Sequence, residues 1–153
     1  MKINQFNVRV YGLLINHKKQ ILLSDEQQEG FNFTKFPGGG LEFGEGLIDA
    51  LKREFIEEMN LAINIESHFY TTDFFVKSAF DESQLISIYF IVNPLNDINF
   101  TIGKFPYDYE GQTKSSKQCL RFVGIDELQD KDLTFPVDKH VVEMLKIHKI
   151  HSN

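Results

Sequence analysis

A glycine-rich segment that empties into a helix sets the tightest limit on what this chain can fold into. Pro37, Gly38, Gly39 and Gly40 stand together, Gly44 and Gly46 follow, and residues 47–59 then contain neither Gly nor Pro. Glycine permits positive φ and a close approach of backbone to a ligand. Leu47, Leu51, Phe55 and Met59 recur every fourth residue with Ile48 beside them, which predicts an amphipathic helix over 47–59. Asn60 is a residue that adopts the left-handed conformation in which helices often end. The start of such a helix offers free N–H groups and partial positive charge, an environment suited to an anion such as phosphate.

The acids of this helix sharpen that reading. Glu54, Glu57 and Glu58 stand at i, i+3 and i+4. At 3.6 residues per turn they fall within an arc of about 100° beside the apolar stripe of Leu51 and Phe55. Like charges so placed cost a helix roughly 0.2–0.5 kcal/mol per pair. Hard oxygen donors on one face suit Mg2+ or Mn2+, which would offset that repulsion. Judged by spacing alone, a solvated acidic face is the stronger alternative. Arg53 precedes Glu57 by four residues, so its guanidinium fork can hold that carboxylate in one orientation. An ordinary surface ion pair is the plain reading of the same spacing. Glu45, in the loop before the helix, is placed to cap it.

Residues 39–61, GGLEFGEGLIDALKREFIEEMNL, resemble the Nudix box. That box is Gly, five residues, Glu, seven residues, then Arg-Glu-hydrophobic-any-Glu-Glu-any-Gly-hydrophobic. Gly39, Glu45, Arg53, Glu54, Glu57 and Glu58 take the fixed positions, with Phe55 and Leu61 as the hydrophobics. Asn60 stands where the family usually has Gly, and the helix end is expected to survive the change. The resemblance implies an α/β/α sandwich with a mixed β-sheet, the box forming a loop–helix–loop. It implies metal-dependent hydrolysis of a nucleoside diphosphate linked to another group, with Mg2+ or Mn2+ as cofactor. Glu54, Glu57, Glu58 and a backbone carbonyl near Gly38 would be the metal ligands. Arg53 would orient the glutamates, and Glu45 would help hold the loop. Glu57 is the candidate general base inside the box, and Glu110 the candidate outside it, where a plain exposed acid is the commoner reading.

The rest of the chain fits one domain over residues 1–153. Residues 8–15 and 20–23 read as strands about a polar turn, 25–30 as a loop, and 31–36 as a short strand. Residues 37–40 read as a break in regular structure. Residues 68–80 and 85–95 read as two strands separated by a polar hairpin loop, and 118–125 as another strand. Asp126 is placed to start a helical turn, and residues 136–148 as a closing amphipathic helix with Val137, Val141, Met144, Leu145 and His148 on one face. Residues 96–117 form a long polar connection with at most a short strand near 98–102, and such connections are often functional. Tyr107 and Tyr109 on it are candidates for stacking on a nucleobase. Lys114 and Lys117 could meet a terminal phosphate. Gly38, Gly39 and Gly40 complete the substrate-binding candidates. Phe69, Tyr70, Phe74, Phe75 and Phe80 read mainly as strand core.

Composition bounds the partners. The formal charge is −6, which argues against a long nucleic acid and leaves a small nucleotide held through a cation. Cys119 is the single cysteine, so no intrachain disulfide forms, and it is expected as a small buried hydrophobe. The histidines, His17, His68, His140, His148 and His151, show no metal-ligand spacing. No stretch approaches the ~18 apolar residues of a membrane helix. Arg9 interrupts the first apolar stretch, which removes a secretory core and predicts a cytoplasmic protein. A homodimer is compatible with the sequence, which leaves oligomeric state open. Two alternatives share the fold: a catalytically silent Nudix domain that binds a nucleotide as a sensor, and a metal-dependent isomerase. The first usually lacks one of the box acids, and all are present here. The second has no supporting cysteine–histidine pattern. No proline lies near Phe75, where ADP-ribose hydrolases often carry one.

Overall fold

The structure is a computed structural model that describes residues 2–148. In chain order the elements are β1 (Gln5–Leu14), β2 (Gln20–Gln28), β3 (Phe31–Lys35), β4 (Gly38–Gly40), α1 (Leu47–Met59), β5 (Ile63–Thr71), β6 (Ser83–Pro94) and β7 (Lys117–Gly124). A 3-10 turn (Asp130–Asp132) and α2 (Pro136–His148) follow. This is a mixed α/β fold with a mixed sheet and two helices among the described residues. The chain forms two compact units: one holds the residues up to Leu14 together with Pro37–Ile98, the other Ile15–Phe36 and the residues from Asn99 on.

The first unit is built on a four-stranded sheet of order β4-β1-β6-β5. β1 and β6 run parallel over their whole length, from Gln5 opposite Ser83 to Leu14 opposite Val92. A parallel pair needs a long crossover, and α1 lies within this one. Val10, Tyr11, Leu13 and Leu14 are consecutive or near neighbours and all buried, as in a strand covered on both faces. α1 buries Ala50, Leu51, Phe55 and Met59, whereas Ile48 is exposed and lies off the expected stripe. A methyl group on Gly12 would stand 2.6 Å from the Phe55 ring, so glycine there lets the helix lie close to β1. Asn60 ends α1 at φ 53° and ψ 39°, its N–H donating to the Ile56 carbonyl at 3.0 Å, as expected for the box variant.

Three expectations need correction in this unit. Gly38–Gly40, expected to break regular structure, form the edge strand β4. They pair antiparallel with β1, Gly40 opposite Arg9, Gly39 opposite Val10 and Gly38 opposite Tyr11. β5 begins at Ile63 rather than near residue 68 and ends at Thr71, because β6 supplies the partner for the polar alternation Ile-Asn-Ile-Glu. Beyond it Phe74, Phe75 and Phe80 are exposed rather than core, and only Tyr70 of the five aromatics is buried.

The second unit holds an antiparallel sheet of order β3-β2-β7. Residues 25–28 belong to β2 rather than to a loop. The hairpin turns on Glu29 and Gly30 alone, with φ of 49° and 82°, and closes with Gln28 opposite Phe31. Two positive φ values in a two-residue loop are the pattern whose twist matches the strands it joins. Residues 125–127 form a turn beside Asp126, as expected. Ile102 makes one bridge to Leu120 in the long connection. α2 buries Val137, Val141, Val142 and Leu145, with Met144 half-buried; the His148 side chain and His151 lie outside what is described.

Candidate active site

β4 and α1 meet through absent side chains. A methyl group on Gly39 would stand 2.5 Å from the Glu54 carboxylate, so that carboxylate lies against bare backbone. Gly38 has φ 146°, and a methyl group there would meet the Val10 carbonyl at 2.0 Å. Only glycine fits this strand at both positions. All three candidate glycines therefore stand beside β1, two of them buried.

Arg53 draws the box together. Its Nε and Nη2 donate to the two oxygens of Glu45 at 3.0 and 2.6 Å. Nη1 donates to Glu54 at 3.0 Å and to Glu57 at 3.2 Å, with Glu42 at 3.6 Å. Nη2 also donates to the Gly40 carbonyl at 3.0 Å. Arg53 thus joins helix, loop and edge strand at one planar fork, a geometry a lysine cannot reproduce. Glu45 does not cap the helix: Gly46 stands at the N-cap position before Leu47, with no side-chain cap. Instead Glu45 accepts from Arg53 and from the Glu42 backbone N–H at 2.9 Å. Those bonds, the Arg53 one first, hold the Glu45 carboxyl below the ordinary glutamate range. The Arg53 guanidinium is correspondingly pushed up, chiefly by Glu45.

Glu54 is mostly buried at 14% side-chain exposure, while Glu57 is 58% exposed. Among the described residues, no group of three or more His, Cys, Asp or Glu side chains is gathered closely enough to hold a metal ion. The donor set nonetheless fits a hard divalent cation: carboxylate oxygens on one helix, a carbonyl-bearing glycine strand beside them, and no side chain on Gly39 to exclude an ion. Glu58, on the same helix, is half-buried.

The other candidates stand in the second unit. The rings of Tyr107 and Tyr109 are neighbours, 6.2 Å between centroids. Tyr107 sits at φ 60°, a left-handed position for a bulky residue. Its phenol lies within hydrogen-bond distance of the Thr34 hydroxyl oxygen, at 3.2 Å, and donates to it, since the single Thr34 proton goes to Asp25. Tyr109 donates to the Asn32 side chain at 3.3 Å, and burial, then the charge of Asp25, raises its phenol above the usual tyrosine range. Glu110 and Lys114 are exposed, and Lys117 donates to Gln27 at 3.3 Å. Cys119 is buried as expected, and burial raises its thiol.

Sequence reasoning missed what holds this loop. Asp25 is fully buried, and its carboxylate accepts Arg121 Nε at 2.6 Å and Nη2 at 3.1 Å. It also accepts the Thr34 hydroxyl at 2.6 Å and the Tyr107 N–H at 3.0 Å. A buried charge is tolerated when its lone pairs are filled this way. An acid in the middle of β2, facing an arginine on β7, was the available signal.

A family model described as NUDIX domain matches residues 5–145. No curated protein matches the chain. Among solved structures the chain is similar to a NUDIX hydrolase from Nitrosomonas europaea, 19% identical, TM-score 0.68, over 95% of this chain and 90% of that one. It is similar to the MutT protein of Methanosarcina mazei Go1, 15% identical, TM-score 0.67, over 97% and 99%. It is also similar to an ADP-ribose pyrophosphatase from Streptococcus suis, 17% identical, TM-score 0.59, over 96% and 93%.

Proposed function

The chain belongs to the Nudix family of pyrophosphohydrolases, and on that footing we propose that it is a Mg2+- or Mn2+-dependent hydrolase of a nucleoside diphosphate derivative. A nucleoside triphosphate or a nucleotide sugar is the substrate class, cut within its phosphate chain. The observation that carries this reading is the Arg53 fork on Glu45, Glu54, Glu57 and the Gly40 carbonyl. A surface arginine would not need to fix three acids and a loop carbonyl at once. An arginine that sets carboxylates in register is what a metal-assisted phosphoryl site requires.

In this reading Glu54, Glu57 and Glu58 with the Gly38 carbonyl would hold the divalent ion, which would supply neutralisation of phosphate charge and a more acidic water. Glu57, more exposed than Glu54, would take the proton from the attacking water. Arg53 keeps Glu54 and Glu57 in place, and the bare strand Gly38–Gly40 lets a phosphate chain lie against backbone. Catalysis is then mostly positioning and electrostatics. Tyr107 and Tyr109 bind the nucleobase. The chain acts as a single domain, in the cytoplasm, on a small nucleotide; among the described residues no helix is long and apolar enough to cross a membrane.

The test is a hydrolysis screen of nucleoside triphosphates and nucleotide sugars with Mg2+, Mn2+ and excess chelator. Release of a monophosphate that stops in chelator is the expected result. Undiminished turnover in chelator would refute the metal dependence.

A further inference from the structure

Two tyrosine hydroxyls in the second unit have their protons committed by groups whose own roles are fixed. The register sets Asp25 opposite Thr34 and Gln27 opposite Asn32 on β2 and β3, and Lys117 of β7 opposite Gln27. Alternate residues of a strand share a face, so Asp25, Gln27, Asn32 and Thr34 lie on one side of the sheet. Two rings of the long connection reach that row, Tyr107 at Thr34 and Tyr109 at Asn32.

The direction of each hydrogen bond follows from its charged end. The Asp25 carboxylate is paired with Arg121 and can only accept. The Thr34 hydroxyl gives its one proton to Asp25 at 2.6 Å, so at 3.2 Å it accepts the Tyr107 proton. At the other end of the row the Lys117 ammonium can only donate, and it donates to the Gln27 side-chain oxygen at 3.3 Å. The Gln27 amide nitrogen therefore faces Asn32 and donates to its oxygen at 3.1 Å. That same Asn32 oxygen accepts the Tyr109 proton at 3.3 Å.

An aspartate and a lysine thus leave both phenols in one state: the proton is spent and only lone pairs remain for a ligand. Burial, then the charge of Asp25, raises the Tyr109 phenol, so its oxygen stays a neutral acceptor. The ring centroids are 6.2 Å apart. Tyr107 is held at its backbone as well, its N–H donating to Asp25 at 3.0 Å from a φ of 60°. Neighbouring acceptors fixed in this way select a donor.

We propose that Tyr107 and Tyr109 read the exocyclic amine of the nucleobase as paired acceptors, which favours adenine and cytosine nucleotides over their oxo counterparts, hypoxanthine and uracil. This rests on the reading of the two rings as the nucleobase site, and deepens it from stacking to hydrogen-bond selection. An oxo group in place of the amine would set its lone pairs against those of the phenols with no proton between them. Thr34 and Asn32 are the positioning residues, since they take the phenol protons.

The experiment titrates full-length protein with AMP, IMP, CMP and UMP, followed by nuclear magnetic resonance. A monophosphate has no phosphate–phosphate bond to cut, so affinity is read without turnover. Wild type should bind AMP over IMP and CMP over UMP, each by ~5- to 50-fold, a hydrogen bond gained and an unpaired acceptor avoided. Tyr107→Phe and Tyr109→Phe keep the rings, and each should shrink these ratios; combined, they should abolish them. Thr34→Ser keeps the proton relay and the ratios. Thr34→Val releases the Tyr107 proton, so IMP and UMP should gain on AMP and CMP. A role confined to holding the loop would weaken all probes alike and leave the ratios unchanged. Equal binding of the amino and oxo bases by wild type, binding of no probe, or wild-type ratios in the combined Phe variant overturns the proposal. The Phe variants decide it should Thr34→Val not fold. If the ratios respond as expected but no nucleoside triphosphate or nucleotide sugar is cleaved, the hydrolase reading fails and this inference stands. If those substrates are cleaved with the same base preference in the combined Phe variant, this inference fails alone.

Discussion

Arg53 is the residue whose loss separates positioning from ligation. It donates to Glu45, Glu54, Glu57 and the Gly40 carbonyl. Arg53→Ala should lower kcat by ~10–100-fold, the range seen when a group behind the ligands is removed, with metal stoichiometry intact. Wild-type kinetics in that variant would make Arg53 a surface ion-pair partner only. Glu57→Gln or Glu58→Gln should cost more, at least ~100-fold in kcat with the fold preserved, since a proton acceptor or an ion ligand is lost. The Glu45 carboxyl titrates below the ordinary glutamate range because Arg53 and the Glu42 N–H stabilise its charged form. A depressed folded value means that its contribution to stability is complete above the ordinary range and is lost as pH falls through the folded value. The urea midpoint of Glu45→Gln should therefore fall short of wild type at neutral pH and converge with it in acid. A gap that stays constant with pH would mean that the Glu45 charge is irrelevant to the fold.

At the scale of elements, two contacts invite measurement. Asn60 closes α1 at positive φ. Asn60→Gly should leave the melting temperature near wild type and Asn60→Val should lower it, because a β-branched residue is strained there. Equal melting temperatures would contradict the left-handed end. Asp25 joins β2 to β7 through Arg121 and to the long loop through the Tyr107 N–H. Asp25→Ala should cost about 3–5 kcal/mol in urea unfolding, since it strands a mostly buried arginine. The same two elements show what the sequence could disclose. α1 was legible to its last residue, because a four-residue apolar repeat, the missing Gly and Pro, and Asn60 all point one way. Of the acids on Arg53, spacing pointed to Glu57 alone, four residues on; Glu45 read as a helix cap, and its contact with Arg53 depends on how the loop folds back. β4 was not legible, because three glycines carry no alternation and only the register with β1 makes them a strand. Asp25 was hidden for a related reason: its partner lies 96 residues away, and a polar residue ahead of a turn looks like loop until that partner is known. The exposed Phe74, Phe75 and Phe80 misled in the opposite sense, since apolar composition suggests a continuous strand where only the bridge of Lys77 to Gln84 forms.

For the whole molecule the open quantity is substrate choice, and charge and loop length bear on it together. A net charge of −6 disfavours a long polyanion, whose binding is driven by release of counterions to basic surface. A small nucleotide needs only local cations and a place for its base. Residues 96–117 hold Tyr107, Tyr109, Lys114 and Lys117. The loop is not loose where Tyr107 stands, because Asp25 and Thr34 fix its backbone and phenol. A tyrosine held at positive φ by a buried carboxylate is costly to maintain without a use, which favours recognition over simple connection. Replacing residues 104–116 with a short glycine turn should therefore raise KM or erase discrimination among nucleotides, while Mn2+ binding persists at the box. Tyr109→Ala alone should raise KM for substrates with a purine or pyrimidine base by ~5- to 100-fold, the loss of one stacking partner, and leave pyrophosphate affinity unchanged. A shortened protein that kept its substrate profile would remove the loop from recognition and leave it as a cover for the β2–β7 pair. Hydrolysis confined to long capped RNA in the same screen would overturn the substrate class itself.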